Sequence, residues 1–295
     1  MRKRIKANAK IALKRQWGKA IAILLMIFAT AVFFSIVEQL LSQIFSIPTF
    51  EQMLSILLSF GTISLDMGTL ILVNSLFFSL SLLSFMILTP LLQGMNRWYY
   101  HLAESNPQPV NGIFDYFVSL RYWAKSLYLS IQLIFRSFLW GILFELPAVI
   151  MYFVFRLTQT SSNSYPPLSL MSLLLSFGFA ILGLIFLRIF LARYFLAKYL
   201  LSSDRKVKVR AALKESLQMM HGHWMELFFL DITFLPYYFS CIFILPILGV
   251  LPYVQTSKAI YAKIWIEKYR SEQEFIQTES IIQEESLPYE PKSNQ

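Results

Sequence analysis

Residues 67–96 of the chain read MGTLILVNSLFFSLSLLSFMILTPLLQGMN, a run in which no side chain carries a charge. A helix that crosses the hydrocarbon core of a bilayer, about 30 Å thick, needs roughly 20 mostly apolar residues, and this run is longer than that. The whole chain of 295 residues has a similar character, with 56% hydrophobic and only 15% charged residues. Because soluble domains carry about 25% charged residues, this composition predicts a multi-pass membrane protein.

Further apolar segments lie on both sides of this run. We predict an all-α fold, a polytopic transmembrane helical bundle, because each backbone amide inside a bilayer must be satisfied within its own segment. The predicted spans cover about residues 20–37, 68–94, 134–155, 168–190, 224–245 and 250–266. The last segment is short and partly polar, so the alternative is five spans, with residues 250–266 as a helix on the membrane surface.

The charge distribution predicts the orientation of the bundle. Basic residues collect on the cytoplasmic side of membrane proteins. Residues 1–19 hold eight Lys and Arg, and the second and fourth connections, 94–125 and 188–223, hold three and eight. The first and third connections, 38–66 and 156–165, hold none and one. We therefore predict a multi-pass membrane protein with a cytoplasmic N-terminus.

The two ends of the chain differ from the predicted bundle, which occupies residues 20–270. Residues 1–19 form an amphipathic basic helix, with Ile5, Ala9 and Leu13 on one face. Residues 271–295 carry six Glu and few apolar residues, which predicts a disordered acidic tail.

The basic N-terminal helix is predicted to contact anionic lipid headgroups, each charge contributing about 1 kcal/mol. The predicted contacts are Arg2, Lys3, Arg4, Lys6, Lys10, Lys14, Arg15 and Lys19. This role accounts for much of the net charge of +9, so we predict no nucleic-acid partner.

Ionisable side chains within the predicted spans are the candidate functional residues, because such groups are costly inside a bilayer. Glu145 lies near the middle of the third span, and Asp231 lies about two turns into the fifth. Arg136 and, as a second choice, Arg188 lie at depths from which they can pair with Asp231. The four residues predict either a polar site on a transport pathway or ion pairs that hold helices together.

Catalytic and metal-binding patterns are absent from the sequence. There is no Gly-x-Ser-x-Gly elbow, no Gly-x-x-x-x-Gly-Lys loop and no His-Glu-x-x-His pair, and Cys241 is the single cysteine. His221 and His223 are separated by one residue, which points them to different faces of a helix. We predict no enzymatic activity, no cofactor and no metal.

A weak internal repeat relates the two larger basic connections. Each follows a span, contains a polar turn and a short apolar-patterned segment, and ends at a Trp, Trp123 in one and Trp224 in the other. Such a repeat places a pseudo-two-fold axis along the membrane normal, as in some transporters.

Several short motifs resemble a known family. They are RIKANAK at residues 4–10, ALKES at residues 212–216 and PY at residues 252–253. Together they resemble a widespread group of uncharacterised multi-pass integral-membrane proteins of Gram-positive bacteria, domain of unknown function 975. The resemblance implies a multi-pass protein of the cytoplasmic membrane and carries no established activity.

Three classes of function follow from these observations, and the least favoured is an intramembrane enzyme, for which no pair of nucleophile and base is found. The first is a non-catalytic membrane protein that acts through lipids, membrane protein partners or a homo-oligomer. The second is a small transporter or channel, for which a polar cavity shared by Glu145 and Asp231 would be the distinguishing feature.

Overall fold

The structure is a computed structural model that describes residues 1–45, 49, 52, 67–160 and 166–286. Within these residues the regular structure is entirely helical. The helices are α1 (Arg2–Leu13), α2 (Trp17–Phe45), α3 (Met67–Ala103), α4 (Leu120–Thr160), α5 (Pro166–Ala192), α6 (Ala197–Ser203), α7 (Val209–Met219), α8 (Trp224–Ile232), α9 (Leu235–Ser240) and α10 (Ile244–Ser286). A 3₁₀ turn at Val110–Tyr116 connects α3 and α4.

Four stretches of the described chain are long and apolar enough to cross a membrane. They are Trp17–Phe45, Ile71–Ala103, Leu120–Gln159 and Pro167–Ser203; they contain the first, third and fourth predicted spans and all but the first three residues of the second. The third stretch begins at Leu120, well before the predicted start of the span at residue 134. The first turns of α4 pack inside the protein, where Ser126 and Leu129 are buried.

The fifth predicted span, residues 224–245, is not a single helix. Helix α8 ends at Ile232, α9 starts at Leu235, and the chain turns again before α10 begins at Ile244. Pro236 lies in the first turn of α9. Proline has no amide hydrogen to donate, so it is tolerated at a helix start but interrupts a helix that would run through it. This interruption also distinguishes the second half of the predicted repeat from the first, where α4 is continuous, and the repeat stays a prediction.

The sixth predicted span, residues 250–266, lies within α10 and is buried by other helices of the protein. Ala259, Ala262 and Ile266 are fully buried. The segment is therefore neither an exposed surface helix nor one of the four candidate spans, and the six-span bundle is not confirmed. Its apolar residues pack against protein rather than lipid, a distinction that an apolar run alone does not carry.

A packed core occupies one end of the bundle, which we call the core end. Here α1, the start of α2, the last turns of α3, α6, α7 and α10 meet. The largest side chains that are almost completely buried there include Trp98, Tyr99, Tyr100, Tyr199 and Tyr261. Away from the core end, α2, α4 and α5 expose large apolar side chains along their length, as expected of surfaces that face lipid.

The two ends of the chain are both helical in the described residues. In α1, the apolar face predicted from Ile5, Ala9 and Leu13 is buried and packs against α10. The tail predicted to be disordered instead continues α10 to Ser286, with residues 271–279 exposed. Glutamate and glutamine are good helix formers, which explains how the helix extends beyond the core. Residues 287–295 lie outside the described part.

Candidate functional site

Asp231 joins three helices at the core end. From α8 its carboxylate accepts a hydrogen bond from Arg188 Nη2 of α5 at 2.7 Å and lies 3.0 Å from Lys258 Nζ of α10. The Asp231 and Lys258 side chains are mostly buried, whereas that of Arg188 is 59% exposed. The structure therefore brings together two of the four predicted polar residues, Arg188 and Asp231.

Arg136, the other predicted partner of Asp231, makes different contacts. Its Nη1 donates to the main-chain oxygen of Gln132 at 2.9 Å and to Gln132 Oε1 at 2.7 Å. Its guanidinium also lies 5.1 Å from the centre of the Tyr194 ring. The predicted Arg136–Asp231 pair is wrong, because this guanidinium is satisfied one turn away on its own helix.

Lys258 is a member of the site that sequence reasoning missed. It was assigned to a span or a surface helix, and only the folding of α10 into the core brings it to Asp231. Burial lowers the pKa of Lys258, and the Asp231 carboxylate partly opposes this effect by favouring the charged form. One available signal was the position of Lys258 as the single charged residue between residues 232 and 262.

A pocket of about 290 Å³ opens beside Asp231 between α4, α5, α6 and α8. Its polar side chains include Arg188, Lys198 and Asp231. The apolar part of its wall is formed by Leu133, Ile134, Leu191, Ala192, Phe195, Leu227 and Phe228. The pocket thus combines a basic end with apolar sides.

Glu145 lies elsewhere, where α4 touches α5. A Cβ atom placed on Gly183 of α5 would lie 2.8 Å from Glu145 Oε1, so the two helices approach closely at this point. Among the described residues, no hydrogen-bond partner reaches the buried Oε1. Glu145 lines a separate open groove of about 660 Å³ along α4, which runs from Ile134 to Val149. This groove does not include Asp231, and the pocket at Asp231 does not include Glu145.

Residues 1–267 match the protein family described as "Protein of unknown function (DUF975)". The chain belongs to the DUF975 family. The match includes Asp231, both of its basic partners and Glu145, so the site described here lies inside the DUF975 region. No curated protein and no solved structure matches the chain.

The basic residues among residues 1–19 of this DUF975 chain divide into two groups. Lys6 Nζ donates to the Thr233 main-chain oxygen at 2.8 Å, and the Arg2, Lys6 and Lys10 side chains lie over aromatic rings of α8, α9 and α10. Partial burial, together with the neighbouring Lys10, lowers the pKa of Lys6. The second group is exposed or half-exposed and stays as the predicted lipid contact: Lys3, Arg4, Lys14, Arg15 and Lys19.

A second polar cluster of the DUF975 region was not predicted. Asp115, in the 3₁₀ turn, pairs with Arg97 of α3 at 3.1 Å and with Arg205 of the connection after α6. Arg97 Nη1 also donates to the Ser202 main-chain oxygen at 2.7 Å. This cluster fastens the two basic connections to each other. Its members are far apart in sequence, and no local pattern connects them.

His223 makes ordinary contacts at the core end. Its Nδ1 lies 3.6 Å from Glu226 Oε1, and its ring is tilted by 34° against that of Trp265, with a centroid separation of 4.0 Å. In residues 1–45, 67–160 and 166–286, no group of three or more His, Cys, Asp and Glu is placed to hold a metal ion.

Proposed function

We propose that this protein is a non-catalytic integral membrane protein of the bacterial cytoplasmic membrane that acts through lipids and membrane protein partners. The observation that supports the proposal best is the contrast between the two parts of the structure. Helices α2, α4 and α5 expose apolar side chains such as Phe28, Phe138 and Phe177, each more than 60% exposed. At the core end the helices bury their apolar residues against one another and carry the basic side chains.

We also propose that the core end, with the N-terminus, lies on the cytoplasmic side. Four crossings place both chain ends on one side, which agrees with the packing of α1 against α10. Lys263 Nζ of α10 donates to the Ala103 main-chain oxygen at the end of α3, at 3.2 Å. The basic C-terminal part thus joins the other basic segments on one side without a fifth or sixth span, as the positive-inside rule requires.

A transporter with a polar site at Glu145 and Asp231 is the second candidate. The buried Glu145 Oε1 without a hydrogen-bond partner among the described residues favours it, because ionisable groups in spans often mark ion or proton pathways. Against it, Glu145 and Asp231 line two cavities that share only Ile134 and Ser137, and Asp231 is paired with two basic side chains.

Flux measurements distinguish the two candidates. The purified full chain is reconstituted into proteoliposomes, and uptake and efflux of ions, amino acids, peptides and amphiphiles are compared with protein-free vesicles. The proposal expects no flux above the protein-free level from protein that is shown to be folded. Flux that Glu145→Gln or Asp231→Asn abolishes, in variants that fold normally, would refute it and establish the transporter.

Cysteine labelling in cells tests the proposed orientation. The single cysteine is removed by Cys241→Ser, and Lys3→Cys, Gln159→Cys or Glu272→Cys is introduced one at a time. A membrane-impermeant maleimide is expected to label only the Gln159→Cys protein in intact cells, and all three after lysis. Labelling of the Lys3→Cys or Glu272→Cys protein in intact cells would contradict a cytoplasmic core end.

A further inference from the structure

The pocket beside Asp231 contains more basic than acidic side chains. Arg188 and Lys258 both pair with the single carboxylate of Asp231. Lys198 also lines the pocket, and no carboxylate of the described residues forms an ion pair with it. Charged groups in partly apolar surroundings are costly unless an opposite charge accompanies them. The pocket therefore has the composition of a site for an anion.

The anion that fits this pocket has an apolar part. Behind the basic end, the walls are apolar side chains that include Leu133, Leu191 and Leu227. The pocket also adjoins the groove on α4, because Ile134 and Ser137 line both. Apart from Glu145, the residues that line the groove are uncharged, and most of them are apolar. A free inorganic anion uses the basic end alone, whereas an amphiphile uses the basic end and the apolar walls together.

The groove is longer than the apolar thickness of one leaflet. From Ile134 to Val149 it follows sixteen residues of α4, which are fifteen helical rises. At about 1.5 Å per residue this corresponds to roughly 22 Å along the helix. Half of a hydrocarbon core about 30 Å thick is roughly 15 Å, so the groove is long enough to hold an acyl chain of one leaflet. It starts at the basic pocket and runs away from the core end.

We propose that this pocket binds an anionic phospholipid of the surrounding leaflet, with the phosphate between Arg188 and Lys198 and one acyl chain along the α4 groove. Arg188 supplies exposed guanidinium donors. Lys198 supplies an amino group that lies over the Phe195 and Tyr199 rings and, among the described residues, has no carboxylate partner. The inference rests on the proposed function in that it takes the exposed helices to lie in a bilayer, and it names a lipid that the protein holds at a defined position.

Binding of defined lipids to the delipidated full chain tests the proposal. Native mass spectrometry counts bound phosphatidylglycerol and phosphatidylcholine of identical chain length. We expect phosphatidylglycerol to bind about tenfold more tightly, because both lipids carry the phosphate but only phosphatidylcholine adds a quaternary ammonium that the basic side chains repel. Equal binding of the two lipids would overturn the proposal. Competition by inorganic phosphate at concentrations similar to the lipid would instead indicate a site for free anions, and would also overturn it.

Two variants locate the site. Lys198→Gln removes the basic side chain that has no ion pair, and we expect phosphatidylglycerol binding to weaken about tenfold. Lys214→Gln, which removes the same charge from an exposed position of α7, is the matched control and is expected to bind as the wild type does. Loss of affinity in both variants, or in neither, would contradict a specific headgroup site.

Ser137→Leu tests the acyl-chain part without a change in charge. The added side chain fills the junction between the pocket and the groove, and we expect it to weaken binding of long-chain phosphatidylglycerol more than that of a short-chain form. Equal effects on the two would remove the groove from the proposal. The Lys198→Gln and Ser137→Leu proteins are first shown to elute from size exclusion and to melt as the wild type does. Because the flux and labelling experiments do not depend on these residues, failure here is distinguishable from failure of the proposed function.

Discussion

Gly94→Ala is expected to disrupt the contact between α3 and the 3₁₀ turn. A Cβ atom at residue 94 would lie 1.9 Å from the main-chain oxygen of Ile113 and 2.7 Å from its carbonyl carbon. Ordinary van der Waals contact for such an atom begins at 3.4 Å, so the turn must retreat by about 1.5 Å. Main-chain atoms cannot rotate away as a flexible side chain does, so the whole turn has to move.

The cost of this movement follows from what the turn holds. Ile113 and Tyr116 are buried, and Tyr116 Oη donates to the Leu201 main-chain oxygen at 3.0 Å. Inserting a methyl group into a packed core costs about 1–3 kcal/mol. Loss of a buried hydrogen bond adds about 1–3 kcal/mol. We expect a net loss of about 3 kcal/mol, which lowers the ratio of folded to unfolded protein about a hundredfold.

Thermal unfolding in a mild detergent measures this effect. The fraction of purified protein that stays monodisperse on size exclusion after heating gives an apparent Tm, which we expect to fall by roughly 5–10 °C. Gly249→Ala is the control, because a Cβ atom at that position of α10 meets nothing within 4 Å. If Gly94→Ala and Gly249→Ala melt at the same temperature, the turn does not pack on α3 as described and the reasoning is wrong.

Three further outcomes are expected. Gly183→Ala should destabilise the packing of α4 against α5, because its Cβ would lie 2.8 Å from a main-chain oxygen and a carboxylate oxygen of α4. Gly178→Ala on the same helix is the control: its Cβ has no atom within 4 Å and should not lower the apparent Tm. Asp231→Asn should reduce the amount of folded protein several-fold, because two basic side chains lose their carboxylate partner. Arg188→Gln should have a smaller effect, because the ion pair between Asp231 and Lys258 remains. Abundance in the membrane and size exclusion measure both effects. Asp115→Asn weakens the contacts to both of its arginine partners and should lower the free energy of unfolding by about 1–2 kcal/mol in the same thermal assay. An unchanged apparent Tm would mean that the cluster does not stabilise the fold.

The candidate site was predictable only in part. Arg188 and Asp231 were assigned similar depths from their distance to the ends of apolar segments, and the structure pairs them. Arg136 lies at a similar depth by the same measure, but its guanidinium binds Gln132 on its own helix. Depth along a helix is readable from sequence, whereas the direction of a side chain around the helix depends on how neighbouring helices are rotated. Lys258 could not be placed at all before α10 was known to fold into the core.

The sequence by itself determined the helical membrane class and the four apolar stretches that can cross a bilayer. In these stretches the solvent is lipid, which requires uncharged residues over a fixed length and so leaves a local pattern. Only the tertiary structure showed how residues 224–266 are arranged: two residues separate the end of helix α8 from α9, which begins just ahead of Pro236, α9 stays exposed, and residues 250–266 are buried against α1 and α3. An apolar side chain is stabilised by leaving water whether it enters lipid or protein, and the choice between them depends on contacts between segments distant in the chain.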